Sequence, residues 1–371
     1  MLLICAVVAG LLAGVSARYR RWGTGLADVA LALVVGVLFT TVEIVVLILA
    51  AGLDVFGSLH VAYLAVVVAY PVGVAWIMIP NLLVAERRTP FLGGVLLLSA
   101  IAAVLFGLWG THVAPFRLQV DEQILGVTGA TEPLVVGVIA DLHATTIGSH
   151  EQSALDEVIA GEPDIVVIAG DIFQVDDGTF DAVSGEFLGW LRRLRAEVDH
   201  VVIVNGQSDD AEILEELAEA SGIQYLFDKL VQLEVDRQTV TVVGLGVLED
   251  REPTVIDTQL LDTLAETTDQ QDLVLAVSHR PDVVIDLDSN TTIDLTISGH
   301  THGGQVSVLG VGPFFPFSEV PAEVAAGGLH VVNSHPIYVS TGVGLERGQA
   351  PQLRFGVRPS VALLTIVPAA N

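Results

Sequence analysis

Five times between residues 134 and 305 a short apolar run breaks off at a cluster of carboxylates, imidazoles, amides and glycines. The runs are LVVGVIA, IVVIA, VVIV, LVLAV and LTI. The clusters that follow them are Asp141-x-His143, Gly170-Asp171, Gly206-Gln207-Ser208-Asp209, Ser278-His279 and Gly299-His300-Thr301-His302-Gly303-Gly304-Gln305. Runs that are apolar throughout, rather than at alternate positions, read as strands buried on both faces of a sheet. An open α/β sheet collects its functional groups at the carboxyl ends of its strands. The constraint is therefore an α/β fold whose strand ends converge on a polar site.

The intervening segments agree with that reading. Helices fit 151–160, 179–196, 211–221 and 257–266, with Ile213, Leu214 and Leu217 on one face of the third. Further strands fit 117–127 (an edge strand), 240–248, 337–341 and 361–367. Strands and helices in this order predict an α/β domain with mixed sheets over 116–371.

Residues 1–115 belong to a different solvent. Apolar segments at 2–17, 26–51, 59–84 and 91–112 predict an all-α transmembrane region of about four helices. Arg18, Arg20 and Arg21 follow the first segment, and Arg87 and Arg88 follow the third. Short arginine-bearing loops stay cytoplasmic, which puts the domain after the fourth segment on the extracytoplasmic side of the cell membrane. Tyr19, Trp22, Trp76 and Trp109 suit the interfaces, Pro71 and Pro80 should kink the third segment, and His60 and His112 fall at segment borders. Glu43 is the intramembrane acid, expected to pair between helices or to face a protein neighbour.

From residue 113 onward there are 40 acidic against 11 basic residues, a formal charge of −29, and Lys229 is the only lysine in the chain. Such a surface repels phosphate backbones and excludes a non-specific nucleic-acid binder. It suits a halophilic protein, whose carboxylates are screened at high salt, or an ordinary acidic extracellular domain. With Cys5 as the only cysteine there is no disulfide framework.

The clusters carry the chemistry. Asp141 and His143 are two apart, as are His300 and His302, so on an extended backbone each pair faces one way. Gly170 permits a sharp turn that brings Asp171 inward, and Gly303 and Gly304 leave room beside their loop. Two carboxylates and four imidazoles exceed the need of one tetrahedral zinc. They suit two divalent ions about 3.5–4 Å apart, and the mixed donors favour manganese, iron or zinc.

These motifs resemble the calcineurin-like metallophosphoesterase superfamily. The GHTHGGQ ending and the late Tyr338-Val339-Ser340-Thr341-Gly342-Val343-Gly344 segment are similar to its membrane-attached branch, and the resemblance covers about 134–367. It implies a four-layer αββα sandwich with a dinuclear site. One metal would take Asp141, His143, Asp171 and His302; the other would share Asp171 and add His279, His300 and an oxygen from the third cluster. That cluster departs from the family's glycine–asparagine–histidine–acid pattern. Gln207 offers its amide oxygen on a longer arm, or Asn205 substitutes if the register slips by one. Ser208 stands where the family's histidine contacts phosphate and protonates the leaving group. A hydroxyl gives up no proton near neutral pH, and general-acid help is worth roughly 10²–10⁴ in rate. Gln174 occupies a place where an acid is common, with Asp176 or Asp177 nearby, and His150, His330 and His335 are possible stand-in acids. The resemblance implies hydrolysis of phosphate mono- or diesters, with Asp171 and Ser208 as catalytic candidates. A phosphorylated small molecule or a lipid head group at the membrane surface would be the substrate. The alternative is a metal-binding relative of little turnover that serves recognition or assembly.

Overall fold

The computed structural model describes residues 55–75, 90–175, 177–246, 258–268, 272–287, 291–308, 312–313, 315–347 and 350–369. The first two apolar segments, Glu43, the five N-terminal arginines, Tyr19, Trp22, Trp76, Pro80, Cys5 and Asp176 lie outside the described residues. The chain divides into two compact units: one runs to His112 and takes in Arg347–Gln352, the other comprises Val113–Glu346 and Leu353–Asn371.

In the first unit, helix α1 (Val55–Leu64) passes into a π-helical turn at Ala65–Ala69 and continues to residue 75; α2 covers Pro90–His112. Proline was expected to kink this segment, and the π-turn sits just before Pro71. Pro71 has no N–H for the carbonyl four residues back and crowds it, and a widened turn relieves both. Phe56–Ala75 and Gly94–Phe116 are each long and apolar enough to cross a membrane. Tyr70 and Ser99 join hydroxyls at 2.5 Å, while Val66, Val72, Leu98 and Leu105 remain exposed.

In the second unit the strands are β1 (Gln119–Val127), β2 (Leu134–Ile139), β3 (Ile165–Ala169), β4 (His200–Val204), β5 (Gln224–Tyr225), β6 (Lys229–Val235), β7 (Gln238–Leu245), β8 (Leu273–Ser278) and β9 (Leu295–Ser298). A short hairpin follows, β10 (Ser307–Val308) with β11 (Gly312–Pro313), then β12 (Gly328–Val332), β13 (His335–Val339) and β14 (Ser360–Pro368). Two six-stranded sheets result, ordered β1-β14-β2-β3-β4-β5 and β12-β13-β9-β8-β7-β6. Strands β2 to β5 are parallel, as are β7, β8, β9 and β13, while β14 runs antiparallel to β2.

Alternation inside each strand makes the layers. Val167 and Ala169 of β3, Val202 and Val204 of β4, and Leu275 and Val277 of β8 enter one core between the sheets. Their neighbours Val166, Ile168, Val201 and Ile203 face α3 (Ser149–Ala160), α4 (Asp177–Glu197) and α5 (Ala211–Ser221) in a second core. Val243, Val274 and Ala276 face α6 (Thr258–Thr267) and the short α7 (Ala322–Ala325) in a third. Helices outside two facing sheets form the four-layer αββα sandwich, and burial on both faces is why the strands read as continuous apolar runs. The edge strands β6 and β12 do not stand out in the sequence, because polar residues interrupt them.

Candidate metal centre

All five clusters lie just beyond β2, β3, β4, β8 and β9, where the strands stop and the backbone turns. Asp141, His143, Asp171, His300 and His302 have φ of 51°, 41°, 54°, 72° and 50°. These are left-handed conformations, in which Asp and His are enriched but which still cost energy. The extended-backbone account of the two-residue spacings therefore gives way: β2 ends at Ile139, and left-handed residues at alternate positions, not a pleat, aim Asp141 and His143. Gly170 makes the expected turn at φ 85°, and a Cβ there would meet Gly206 N at 2.6 Å. Gly303 and Gly304 leave no open room, since a Cβ on either would strike Val357 or Pro313 at 2.7 and 2.4 Å. Their role is close packing of the loop.

Asp141, His143, Asp171, His279 and His302 come together, all at most 4% exposed. They form two ligand groups, Asp141–His143–His302 and Asp141–Asp171–His279. His143 Nε2 lies 3.0 Å from His302 Nε2 and 3.3 Å from Asp171 Oδ2. That same Oδ2 is 3.1 Å from His279 Nε2, so one carboxylate oxygen faces both imidazole sets. The outer nitrogens are fixed by the protein: His143 Nδ1 meets Gln174 Oε1 at 3.0 Å, His279 Nδ1 meets the Ala169 carbonyl at 2.9 Å, and His300 Nε2 meets the Phe317 carbonyl at 3.0 Å. Each acceptor takes an N–H from the ring and leaves the opposite nitrogen for a ligand, as metal-binding histidines require. His300 also donates its backbone N–H to Asp141 at 2.8 Å, and its ring centroid is 5.2 Å from that of His279.

The third cluster works through its backbone. Asp209 accepts N–H groups from Asp171, Ile172, Phe173 and Gly206 at 2.7–3.2 Å, tying the loop after β3 to the loop after β4. Ser208 N–H donates to Asp171 Oδ1 at 2.8 Å, while its Oγ is buried with no hydrogen-bond partner among the described residues. Because the N–H groups on either side, of Gly206 and Ser208, turn inward to carboxylates, the residue between them is carried outward: Gln207 is exposed. The buried amide is Asn205, 2% exposed. Of the other histidines, His150 meets the Val343 carbonyl, His330 the Gly327 carbonyl, and His335 is buried at the start of β13.

Two residues not singled out in the sequence support the centre. Buried Arg354 donates to the carbonyls of Thr341, Gly342 and Gly344 at 2.6–3.0 Å, and its Nη2 approaches His302 Nδ1 at 3.4 Å. Glu346 Oε2 lies 3.8 Å from His143 Nε2. Neither position has a signal in a strand-end motif.

Burial and mutual charge set the protonation. Burial would lower His279, but the charge and hydrogen bond of Asp171 raise it to about 10. Burial would raise Asp171, yet the pull of His279 and His143 holds it well below the usual carboxylate range. Burial pushes Asp141 up to about 6. Burial, with the charges of His279 and Arg280, lowers His300 to about 3, and burial beside His143 and Arg354 holds His302 well below the usual value. Without metal the centre thus holds an Asp171–His279 ion pair beside the neutral imidazoles of His300 and His302 at neutral pH. Carboxylates and neutral imidazoles, inward-facing and braced from outside, fit divalent transition ions.

Residues 134–304 match the family model described as calcineurin-like phosphoesterase. The chain is 24% identical over 238 residues to the uncharacterized protein YpbG of Bacillus subtilis (strain 168), covering 63% of this chain and 81% of that one. It is 27% identical over 246 residues to the phosphodiesterase YaeI of Escherichia coli (strain K12), covering 63% and 83%. Among solved structures, the NAD nucleotidase of Haemophilus influenzae aligns over 57% of this chain and 45% of its own, at 14% identity and a TM-score of 0.39.

Proposed function

Residues 134–304 are a domain of the calcineurin-like metallophosphoesterase superfamily, a metal-dependent hydrolase, and from that premise we propose a membrane-anchored two-metal phosphoesterase. The observation that carries the two-metal reading is Asp171 Oδ2, within 3.3 Å of both His143 Nε2 and His279 Nε2. A carboxylate facing two imidazole sets is placed to be shared by two ions. One set is Asp141, His143, Asp171 and His302; the other is Asp171, His279 and His300, with the buried Asn205 rather than the exposed Gln207 as amide donor of oxygen. When bound, the ions supply Lewis acidity and a strong nucleophile from water at neutral pH.

The chain's own groups do the positioning. Asp209 and Ser208 N–H hold Asp171 in place, and Gln174, Ala169 O and Phe317 O fix the rings. Ser208 Oγ, buried without a partner among the described residues, is free to donate one hydrogen bond to a phosphate oxygen. It cannot protonate a leaving group near pH 7. Turnover should therefore depend on how good the leaving group is. The two apolar helices anchor the domain, and the arginine asymmetry favours an extracytoplasmic site acting on a phosphorylated lipid head group or a small phosphate mono- or diester. The YaeI relative, a phosphodiesterase, supports the diester.

The test is hydrolysis of aryl phosphate mono- and diesters by the purified protein with manganese at high salt, beside metal analysis. Turnover that Asp171→Ala abolishes is the expected result. Bound metal with no turnover on either ester would overturn the enzymatic reading.

A further inference from the structure

One carboxylate outside the ligand sets above faces the centre. Glu346 lies two residues beyond the 341–344 loop that Arg354 holds by three carbonyls, and that loop packs on Asp141, since a Cβ on Gly342 would meet Asp141 Cβ at 2.6 Å. Glu346 groups with His143 and Asp171 within reach of a single ion. Its Oε1 accepts a hydrogen bond from Gln174 Nε2 at 3.1 Å, while Gln174 Oε1 accepts from His143 Nδ1 at 3.0 Å. Gln174 thus bridges the ring and the carboxylate, leaving Glu346 Oε2 and His143 Nε2 aimed at the same point, 3.8 Å apart.

The spacing is that of ligands around one ion. Donor atoms about 2.1 Å from a metal are about 3.0 Å apart when adjacent in an octahedron and about 4.2 Å apart when opposite. From His143 Nε2 the distances are 3.0 Å to His302 Nε2, 3.3 Å to Asp171 Oδ2 and 3.8 Å to Glu346 Oε2, all inside that range. We propose that Glu346 is a ligand of the ion held by His143 and Asp171, and that Gln174 is the positioning residue that holds Glu346 and the His143 ring in one frame. The inference rests on the two-metal reading. It gives that ion an additional oxygen donor and negative charge, which favour manganese over softer competitors.

Metal-stripped full-length protein in detergent is titrated calorimetrically with manganese chloride, as wild type, Glu346→Gln and Glu346→Ala. Wild type should show two binding steps. Both variants should weaken one step by at least roughly 10-fold, the least that losing even a supporting partner of a ligand costs, and leave the other within about twofold. The Glu346 side chain is 27% exposed, so the fold should survive, and thermal melting checks it. If Glu346→Ala melts early, Glu346→Gln decides, because it keeps an acceptor for Gln174. Two unchanged steps, or equal weakening of both, would overturn the ligand role while leaving the two-metal reading intact. A wild type that binds no manganese would instead sink the two-metal reading, and this inference with it.

Discussion

His279 shows what the strand-end clusters hold before any metal arrives. Its pKa of about 10 lies above the ordinary 6.5, so its ion pair with Asp171 stabilises the metal-free fold fully below about pH 6.5. That contribution fades as pH rises toward 10. A metal must displace the same proton, so affinity should climb with pH across this window. We expect about one proton released from His279 on metal loading at pH 7.5, read by calorimetry in buffers of different ionisation enthalpy. Release of none would mean that the ring is already neutral. Asp209 offers a second test at this scale. Asp209→Ala would leave N–H groups of Asp171, Ile172, Phe173 and Gly206 without their acceptor. Each buried unpaired group costs about 1–3 kcal/mol, so denaturant unfolding should show a loss of at least about 2 kcal/mol, with weakened metal binding. The convergence of Asp141, His143, Asp171, His279 and His302 was legible because their chemistry is unusual at strand ends. Gln207 misled because a turn's direction depends on which carboxylates capture the neighbouring N–H groups. Those captures are tertiary and leave no mark on the local sequence.

Among the elements, the strands feeding the site were readable nearly to the residue because both of their faces are buried. Their apolar runs have no polar alternate to blur the ends. Leu275, wholly buried on β8 between the sheets, measures that packing: Leu275→Ala should cost roughly 2–5 kcal/mol in denaturant unfolding. A loss under about 1 kcal/mol would mean that the inter-sheet core collapses readily around the gap. What stayed hidden was the conformation beyond the strand ends. Left-handed residues at Asp141, His143, Asp171, His300 and His302 obey no hydrophobic period, so the pattern that locates the strands is silent on how their ends turn.

At the scale of the whole molecule, charge is the dominant quantity. With −29 formal charges after residue 112, the domain repels itself at low ionic strength. Raising potassium chloride from 0.1 M to about 2 M shrinks the screening length from about 10 Å to below 3 Å. The melting temperature should rise over that range; a flat or falling trend would refute adaptation to salt. The order of the first sheet has a separate consequence for biosynthesis. Strand β14 (Ser360–Pro368) sits between β1 and β2, whose residues lie more than 200 positions earlier. A ribosome must therefore deliver every other strand before that sheet can close, and β2 waits with an unpaired edge for as long as translation takes. Nascent chains of this protein should be a favoured client of holding chaperones until the β14 segment emerges.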